Sequence, residues 1–354
     1  MASSFRTLPI IDFQALQDEE QRSEALRDLK HALFSVGFLY LANTGLEGLI
    51  KETHEALPAI FELPDHVKEE CNMINSPSFL GYTALGAETT AKRTDLREQF
   101  DFGSPVEAIW KPGDPMWKRL QGPSQARLHA LLRMKLVLMM TRLVNRYIHE
   151  LSLLSKKFLH CVAECLSLPE ATFEQFLGRM DRLKFVKYPP AEPGSQGVGP
   201  HKDSSGQFTF LSQDTVGGLQ VLNRSGEWID APPIEGTLVV NIAQGFEAIT
   251  GGRCPATSHR VISPTKTTRY SVPFFLGVRL DLTLDQLKES AADIVRQIPG
   301  SADRTVPAAE VASEFLSPLY SCFGEAHLRN RIVSHPDVGQ RWYPDLYEKY
   351  SQVV

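Results

Sequence analysis

The spacing of hydrophobic and polar positions changes character several times along the 354 residues. Near the start, Leu8–Asp12 predicts a short strand, residues 19–33 a helix and Phe38–Leu41 a second strand. Residues 46–72 carry a helical pattern. Residues 76–123 hold no clear period and are rich in Gly, Pro and Thr, which marks a wrapped or functional segment. A helical pattern then spans residues 124–168. Its apolar positions, Leu128, Leu132, Leu136, Met139, Leu143, Tyr147, Leu151 and Leu154, return every three or four residues. Pro123 and Pro169 bracket it. A straight helix of that length would reach roughly 60 Å, so a break near Ser152–Ser155 is expected, with the stripe packed on a sheet.

From Arg182 to Val278 the period becomes two. Predicted strands are Leu183–Tyr188, Gln207–Gln213, Leu219–Leu222, Glu227–Asp230, Thr237–Ile242, Ala256–Ile262 and Tyr270–Val278. Turn signals such as Asn223-Arg224-Ser225-Gly226 and Gly251-Gly252 separate them. Many short strands at this spacing predict a sandwich, jelly roll or barrel. Beyond Val278 the pattern is helical again, at residues 282–298 and 307–315. Residues 335–350 are aromatic and polar and are expected on the surface.

Charge and cysteines narrow the setting. A net charge of −5 argues against a nucleic-acid partner or a polybasic membrane surface. The most apolar run, Met134–Val144, is interrupted by Lys135 and Arg142, so no membrane span is expected. The five cysteines (Cys71, Cys161, Cys165, Cys254, Cys322) form no C-x-x-C pair, and no apolar signal core follows Met1. A reduced, cytoplasmic setting is the expectation.

Among the ten histidines, two stand in the β region with chemically suggestive neighbours. In extended chain His201 and Asp203 face the same way. His259 lies 56 residues beyond Asp203, within a predicted strand. Two imidazoles and one carboxylate form the facial triad of non-heme Fe(II) sites, with coordination positions left open. Arg269 and Ser271 share one face at the start of the next strand. A guanidinium and a hydroxyl buried there need a partner, and a ligand carboxylate gripped by the guanidinium fork is the natural one. Other catalytic signatures are missing: no His-Glu-x-x-His, no Gly-x-Ser-x-Gly, no phosphate-binding loop and no Gly-x-Gly-x-x-Gly. His327 and His335 are expected in surface or capping roles, and Trp110 and Trp117 in packing.

These residues sit in an ordered series of motifs: Lys187-Tyr188-Pro189-Pro190, His201-Lys202-Asp203, Gly217-Gly218-Leu219-Gln220-Val221, Gly226-Glu227-Trp228-Ile229, Val239-Val240-Asn241-Ile242, His259-Arg260-Val261 and Arg269-Tyr270-Ser271-Val272-Pro273-Phe274-Phe275. The series resembles the catalytic core of the Fe(II)/2-oxoglutarate-dependent oxygenases, in the isopenicillin N synthase-like branch. Residues 8–43 resemble that branch's N-terminal region. The resemblance implies a mainly β core with flanking helices, a double-stranded β-helix or jelly roll of the cupin-like kind. It implies a single compact unit: an N-terminal region (1–123), a long scaffold helix (124–180), the jelly-roll core (181–280) and a C-terminal helical segment (281–354). It also implies that His201, Asp203 and His259 ligate Fe(II), that Arg269 and Ser271 bind the distal carboxylate of 2-oxoglutarate, with Tyr188 a third contact, and that O2 is consumed. The expected reaction is oxidation of a C–H bond in a small organic molecule, by hydroxylation, desaturation or rearrangement. The pattern is nearest to fungal secondary-metabolism members, which suggests a natural-product intermediate. An oxidase of the same fold that uses no 2-oxoglutarate stays open, as does a retired scaffold that only binds ligand. The pocket is expected to be walled by Phe79, Tyr82 and Arg97 from the irregular segment and by Phe210, Phe246 and Phe275 from the core, suiting a largely apolar, ring-containing substrate.

Overall fold

In chain order the regular elements are β1 (Ile10–Asp12), α1 (Arg22–His31), β2 (Phe38–Ala42), α2 (Glu47–Phe61), α3 (Asp65–Glu70), β3 (Gly81–Thr83), β4 (Thr89–Thr90), β5 (Arg93–Thr94), β6 (Glu98–Gly103), α4 (Lys135–Cys165), β7 (Arg182–Tyr188), β8 (Gln196–His201), β9 (Gly206–Gln213), β10 (Leu219–Leu222), β11 (Trp228–Asp230), β12 (Leu238–Ile242), α5 (Gln244–Ile249), β13 (His259–Ile262), β14 (Arg269–Gly277), α6 (Leu284–Gln297), α7 (Phe323–Ser334), α8 (Pro336–Trp342) and α9 (Pro344–Ser351). The structure is a computed structural model that describes residues 5–90, 93–125, 135–204, 206–298 and 319–351. The helix expected over 307–315 and the Leu128 and Leu132 positions lie outside the described residues.

Two sheets carry the core. The larger runs β1-β2-β12-β9-β14-β7-β6-β3, and the smaller runs β11-β10-β13-β8. The period-two pattern explains how the larger sheet divides its side chains. On β7, Leu183 and Phe185 join the helix-covered core. Arg182, Lys184, Val186 and Tyr188 line a cavity on the other face. On β9, Phe208 and Phe210 face the helices, where both meet the ring of Phe158 from α4 (centroids 5.3 and 5.5 Å). Thr209 and Leu211 face the cavity.

Helix α4 is the scaffold expected from the stripe, with two differences. It runs unbroken through Ser152 and Ser155, about 46 Å for its 31 residues. Both serines turn their hydroxyls back onto carbonyls four residues earlier, at 2.7 Å to Ile148 and 2.6 Å to Leu151. The buried stripe also passes through Met140, Leu143, Tyr147, Leu151, Leu154 and Phe158, while Met139 is exposed.

Several elements were not foreseen. The stretch 76–123 contributes β3 and β6 to the main sheet, and β8 and α5 flank the ligand-bearing segments. The C-terminal segment departs further. Residues 335–350 lie only partly on the surface: Asp337, Gln340, Arg341, Pro344, Asp345, Glu348 and Lys349 are exposed, and the apolar side turns inward. Val338, Tyr343 and Tyr350 pack with Met73, Phe79, Leu328 and Ile332 in a buried cluster. Phe79 stacks on Tyr343 with centroids 5.7 Å apart. The aromatic tips find acceptors, the Tyr343 hydroxyl on Pro77 O at 2.5 Å and Trp342 Nε1 on Ile74 O at 2.9 Å, so large rings bury without stranding a polar group. No helix among the described residues is long and apolar enough to cross a membrane. All five cysteines are free and buried.

Candidate metal and co-substrate site

His201 ends β8 and pairs directly across with His259, which opens β13. Asp203 follows two residues after His201. One ligand atom from each of the three residues falls within 4.8 Å of the others. Asp203 Oδ1 stands 3.6 Å from His201 Nε2 and 3.7 Å from His259 Nε2. The far side of each ligand is held. His201 Nδ1 meets Gly199 O at 2.9 Å, and His259 Nδ1 meets Thr257 O at 3.2 Å. A carbonyl can only accept, so both Nδ1 atoms carry the proton and both Nε2 lone pairs face the gap beside Asp203. Asp203 Oδ2 accepts from Thr209 Oγ1 (2.6 Å) and Asn241 Nδ2 (2.8 Å), which turns Oδ1 toward the imidazoles. Such outer contacts orient metal ligands.

The electrostatics agree with a cation site. Burial opposes ionisation of Asp203, yet His259, His201 and the Thr209 hydroxyl hold its carboxyl well below the usual range. Burial and the adjacent His201 lower His259 to about 4, so its ring is neutral and free to donate a lone pair at neutral pH. Backbone packing fixes the position of this strand start. Gly37 has φ +78°, and a Cβ there would stand 2.4 Å from Thr257 Oγ1. Thr257 is the residue whose carbonyl holds His259.

Arg269 begins β14 and is fully buried. It pairs across with Tyr188, whose ring lies 4.8 Å from the guanidinium carbon. Its Nη2 donates to Gln213 Oε1 at 3.0 Å, while Nε and Nη1 have no hydrogen-bond partner. No carboxylate pairs with it among the described residues. Arg269, Ser271 and Tyr188 line the same cavity as the three ligands, a space of about 430 Å³. A buried fork with two idle donors suits a ligand carboxylate, and two neutral imidazoles with one carboxylate suit Fe(II). The residues present therefore fit both groups.

The expected substrate wall needs correction. Arg97 and Phe275 line the cavity. Phe79, Tyr82, Phe210 and Phe246 do not. Phe210 sits between Thr209 and Leu211, on the opposite parity of the strand. Phe246 packs on Phe173 and Phe208. Tyr82 points to the helix side, where its hydroxyl donates to Glu98 Oε2 at 2.7 Å. Phe79 belongs to the C-terminal cluster. In their place stand charged groups: Glu88, Arg182, Lys184 and Arg331, with His327. His327 and His335 are not surface residues but are 4% and 2% exposed. A sequence signal existed on β7, where Arg182 and Lys184 alternate with Leu183 and Phe185, and on β6, where Gln99 and Asp101 alternate with Phe100 and Phe102.

The chain is similar to known proteins over most of its length. Residues 180–278 match the 2OG-Fe(II) oxygenase superfamily, and residues 8–127 match the N-terminal family described as non-haem dioxygenase in morphine synthesis. A 2-oxoglutarate-dependent dioxygenase, frbJ, from Dothideomycetidae sp. (strain 11243) is 40% identical over 97% of this chain and 94% of its own. A 2-oxoglutarate-dependent dioxygenase from Gibberella zeae is 33% identical over 99% and 95%. Among solved structures, full-length Neurospora crassa T7H in complex with alpha-KG superposes with a TM-score of 0.63 at 26% identity, covering 78% of this chain and 87% of its own. The jelly-roll core, the ligand cluster and these likenesses agree, and the chain belongs to the 2-oxoglutarate–Fe(II) oxygenase superfamily, as a dioxygenase that works with Fe(II), 2-oxoglutarate and O2.

Proposed function

We propose that His201, Asp203 and His259 hold the Fe(II), that Arg269, with Ser271 and Tyr188, binds the distal carboxylate of 2-oxoglutarate, and that the cavity oxidises a C–H bond of a small natural-product intermediate. The observation that carries this reading is Arg269, fully buried with two idle donors in the cavity that holds the three-ligand cluster. When bound, Fe(II) with 2-oxoglutarate and O2 supplies oxidative decarboxylation to succinate and CO2, coupled to oxidation of the substrate. The chain's own residues do the placing. Asn241 and Thr209 fix Asp203, the Gly199 and Thr257 carbonyls fix the imidazoles, and Gln213 with the Tyr188 ring fixes Arg269. Holding reactants in one geometry is itself a large part of such catalysis.

The natural-product assignment rests on the likeness to the fungal dioxygenases. A comparison of metabolites from strains with and without the gene identifies the substrate. The co-substrate assignment is tested on purified, Fe(II)-reconstituted protein by measuring succinate formation against added 2-oxoglutarate. Saturable dependence is expected. Product formation that proceeds equally well without 2-oxoglutarate would transfer the protein to the oxidase class.

A further inference from the structure

One wall of the cavity is charged in a way that iron and 2-oxoglutarate leave unexplained. It is built by β6, β7, α7 and, ahead of β6, Glu88, Asp95 and Arg97. Glu98 pairs with Lys187, so Arg97 lies level with Tyr188, while Lys184 stands four residues from Tyr188 on β7, about 13 Å along the strand, and carries the wall away from Arg269. Four buried or nearly buried cations meet there: Arg97, Arg182, Lys184 and Arg331. Among the described residues three carboxylates accompany them, Glu88, Asp95 and Asp101. Arg97 Nη2 takes two of these, with Glu88 at 2.8 Å and Asp95 at 3.2 Å. Asp101 Oδ1 is shared between Lys184 (3.5 Å) and Arg331 (3.3 Å), and its Oδ2 accepts from Gln99. Among the described residues Arg182 finds only the backbone carbonyls of Phe79, Ser78 and Leu120.

The histidines do not restore balance. His335 Nε2 is 3.8 Å from Glu88 Oε1. Burial and the nearby cations hold both His327 and His335 neutral. Among the described residues four donor-capable atoms on this wall have no hydrogen-bond partner: Arg97 Nε, Arg331 Nε, His327 Nδ1 and His335 Nε2. Arg97, Arg331 and His327 line the cavity, and Arg331 and His327 are more than nine-tenths buried. Burial, and after it Arg331, push Arg182 down to about 9 against the opposing pull of Asp101. An apolar ligand would leave this wall desolvated and short of one anion, an expensive arrangement.

We propose that the substrate carries a carboxylate, and that Lys184, Arg331 and His327 hold it, with Arg182 beside them. The proposal rests on the oxygenase reading of the cavity and adds the substrate's chemical class. The carboxylate would supply the missing charge and accept from the idle Arg331 Nε and His327 Nδ1, and the reacting carbon would lie toward the iron ligands.

The test uses a shape-matched pair, benzoate and benzamide, titrated calorimetrically into full-length protein loaded with Mn(II) and saturated with 2-oxoglutarate. Benzoate is expected to bind about tenfold more tightly or better, as charge-assisted pairing requires. The preference should vanish in Arg331→Leu and in Lys184→Met and return in part in Arg331→Lys. Melting curves identify a variant that has lost its fold, and the other two then decide. Equal binding of the pair, no binding of either, or a preference that survives both Arg331→Leu and Lys184→Met would overturn the proposal. Titration of 2-oxoglutarate alone, on the same preparation, tests the underlying reading separately. A protein that binds 2-oxoglutarate but ignores benzoate loses only the carboxylate site. One that prefers benzoate but binds no 2-oxoglutarate loses only the oxygenase reading.

Discussion

The two ends of the cavity are built on different principles. At the metal end each functional group is aimed by one or two neutral partners: a carbonyl behind each imidazole, an amide and a hydroxyl behind Asp203, an amide and a ring behind Arg269. Its charges are few and their vacant valences point inward. At the other end charges are many, bound chiefly to one another within residues 88–97 and across β6, β7 and α7. The first design fixes geometry, which chemistry at one atom demands. The second fixes potential, which selects a class of molecule and tolerates some freedom in its shape.

This contrast is easiest to break at Asp203. Asp203→Ala leaves two neutral imidazoles and should lower the iron content after anaerobic reconstitution from near one per chain to under about a tenth, with turnover lost. Asp203→Glu should also be inactive, because an added methylene displaces the oxygen by about an ångström. Full iron occupancy in Asp203→Ala would remove the ligand assignment. Next in size is Arg269→Leu. Truncating one member of a buried charge pair costs roughly 2–5 kcal/mol, so the 2-oxoglutarate concentration for half-maximal turnover should rise at least about 30-fold. Arg269→Lys should recover part of this. An unchanged 2-oxoglutarate requirement with a lowered melting temperature would make Arg269 purely structural.

Smaller effects probe the aiming itself. Asn241→Leu removes a hydrogen bond to Asp203 while keeping its bulk, and should weaken Fe(II) binding by about 10- to 100-fold. Equal affinity in wild type and variant would show that Thr209 alone suffices. The smallest expected effect reads both ends together. Burial and Arg269 lower His54 to about 4, and His327 and His335 lie well below their ordinary value at the charged end. A depressed folded-state pKa means that the unfolded chain takes up the proton first. Stability is therefore full above about pH 6.5 and falls as pH drops toward 4. His54 alone should cost about 2 kcal/mol by pH 5, a few degrees of melting temperature. His54→Gln should shrink that acid sensitivity. If the slope is unchanged in this variant, the loss belongs to the charged end.

The same contrast explains what could be read in advance. The metal end was legible because its parts are close in sequence and obey the strand period. His201 and Asp203 are two apart, Arg269 and Ser271 are two apart, and His259 lies within a predicted strand. The charged end comes from residues 88–101, 182–184 and 327–335, which only the fold assembles. Its polar residues look like surface residues in any hydrophobicity pattern, since buried and exposed charges share the same letters. Residues 98–103 alternate correctly, yet the strand is short and lies in a stretch dominated by Gly and Pro. Phe210 was assigned to the cavity for its neighbourhood rather than its parity, and one residue of register moves a side chain to the other face. The C-terminal helices escaped notice because their aromatic residues bury rings while keeping polar tips satisfied.

The order of strands in the main sheet bears on how such a chain could be shortened or recombined. The segment that matches the oxygenase superfamily ends at residue 278, yet both flanks of its main sheet come from before residue 104: β2 zips onto β12, and β6 onto β7. Cut out alone, that segment would expose two long rows of backbone donors and acceptors, the kind of edge that recruits other chains. A chimera that exchanges only residues 180–278 with a relative must therefore keep two inter-strand seams in register as well as its ligands. Recombination is best tolerated where the N-terminal strands travel with the core they seal.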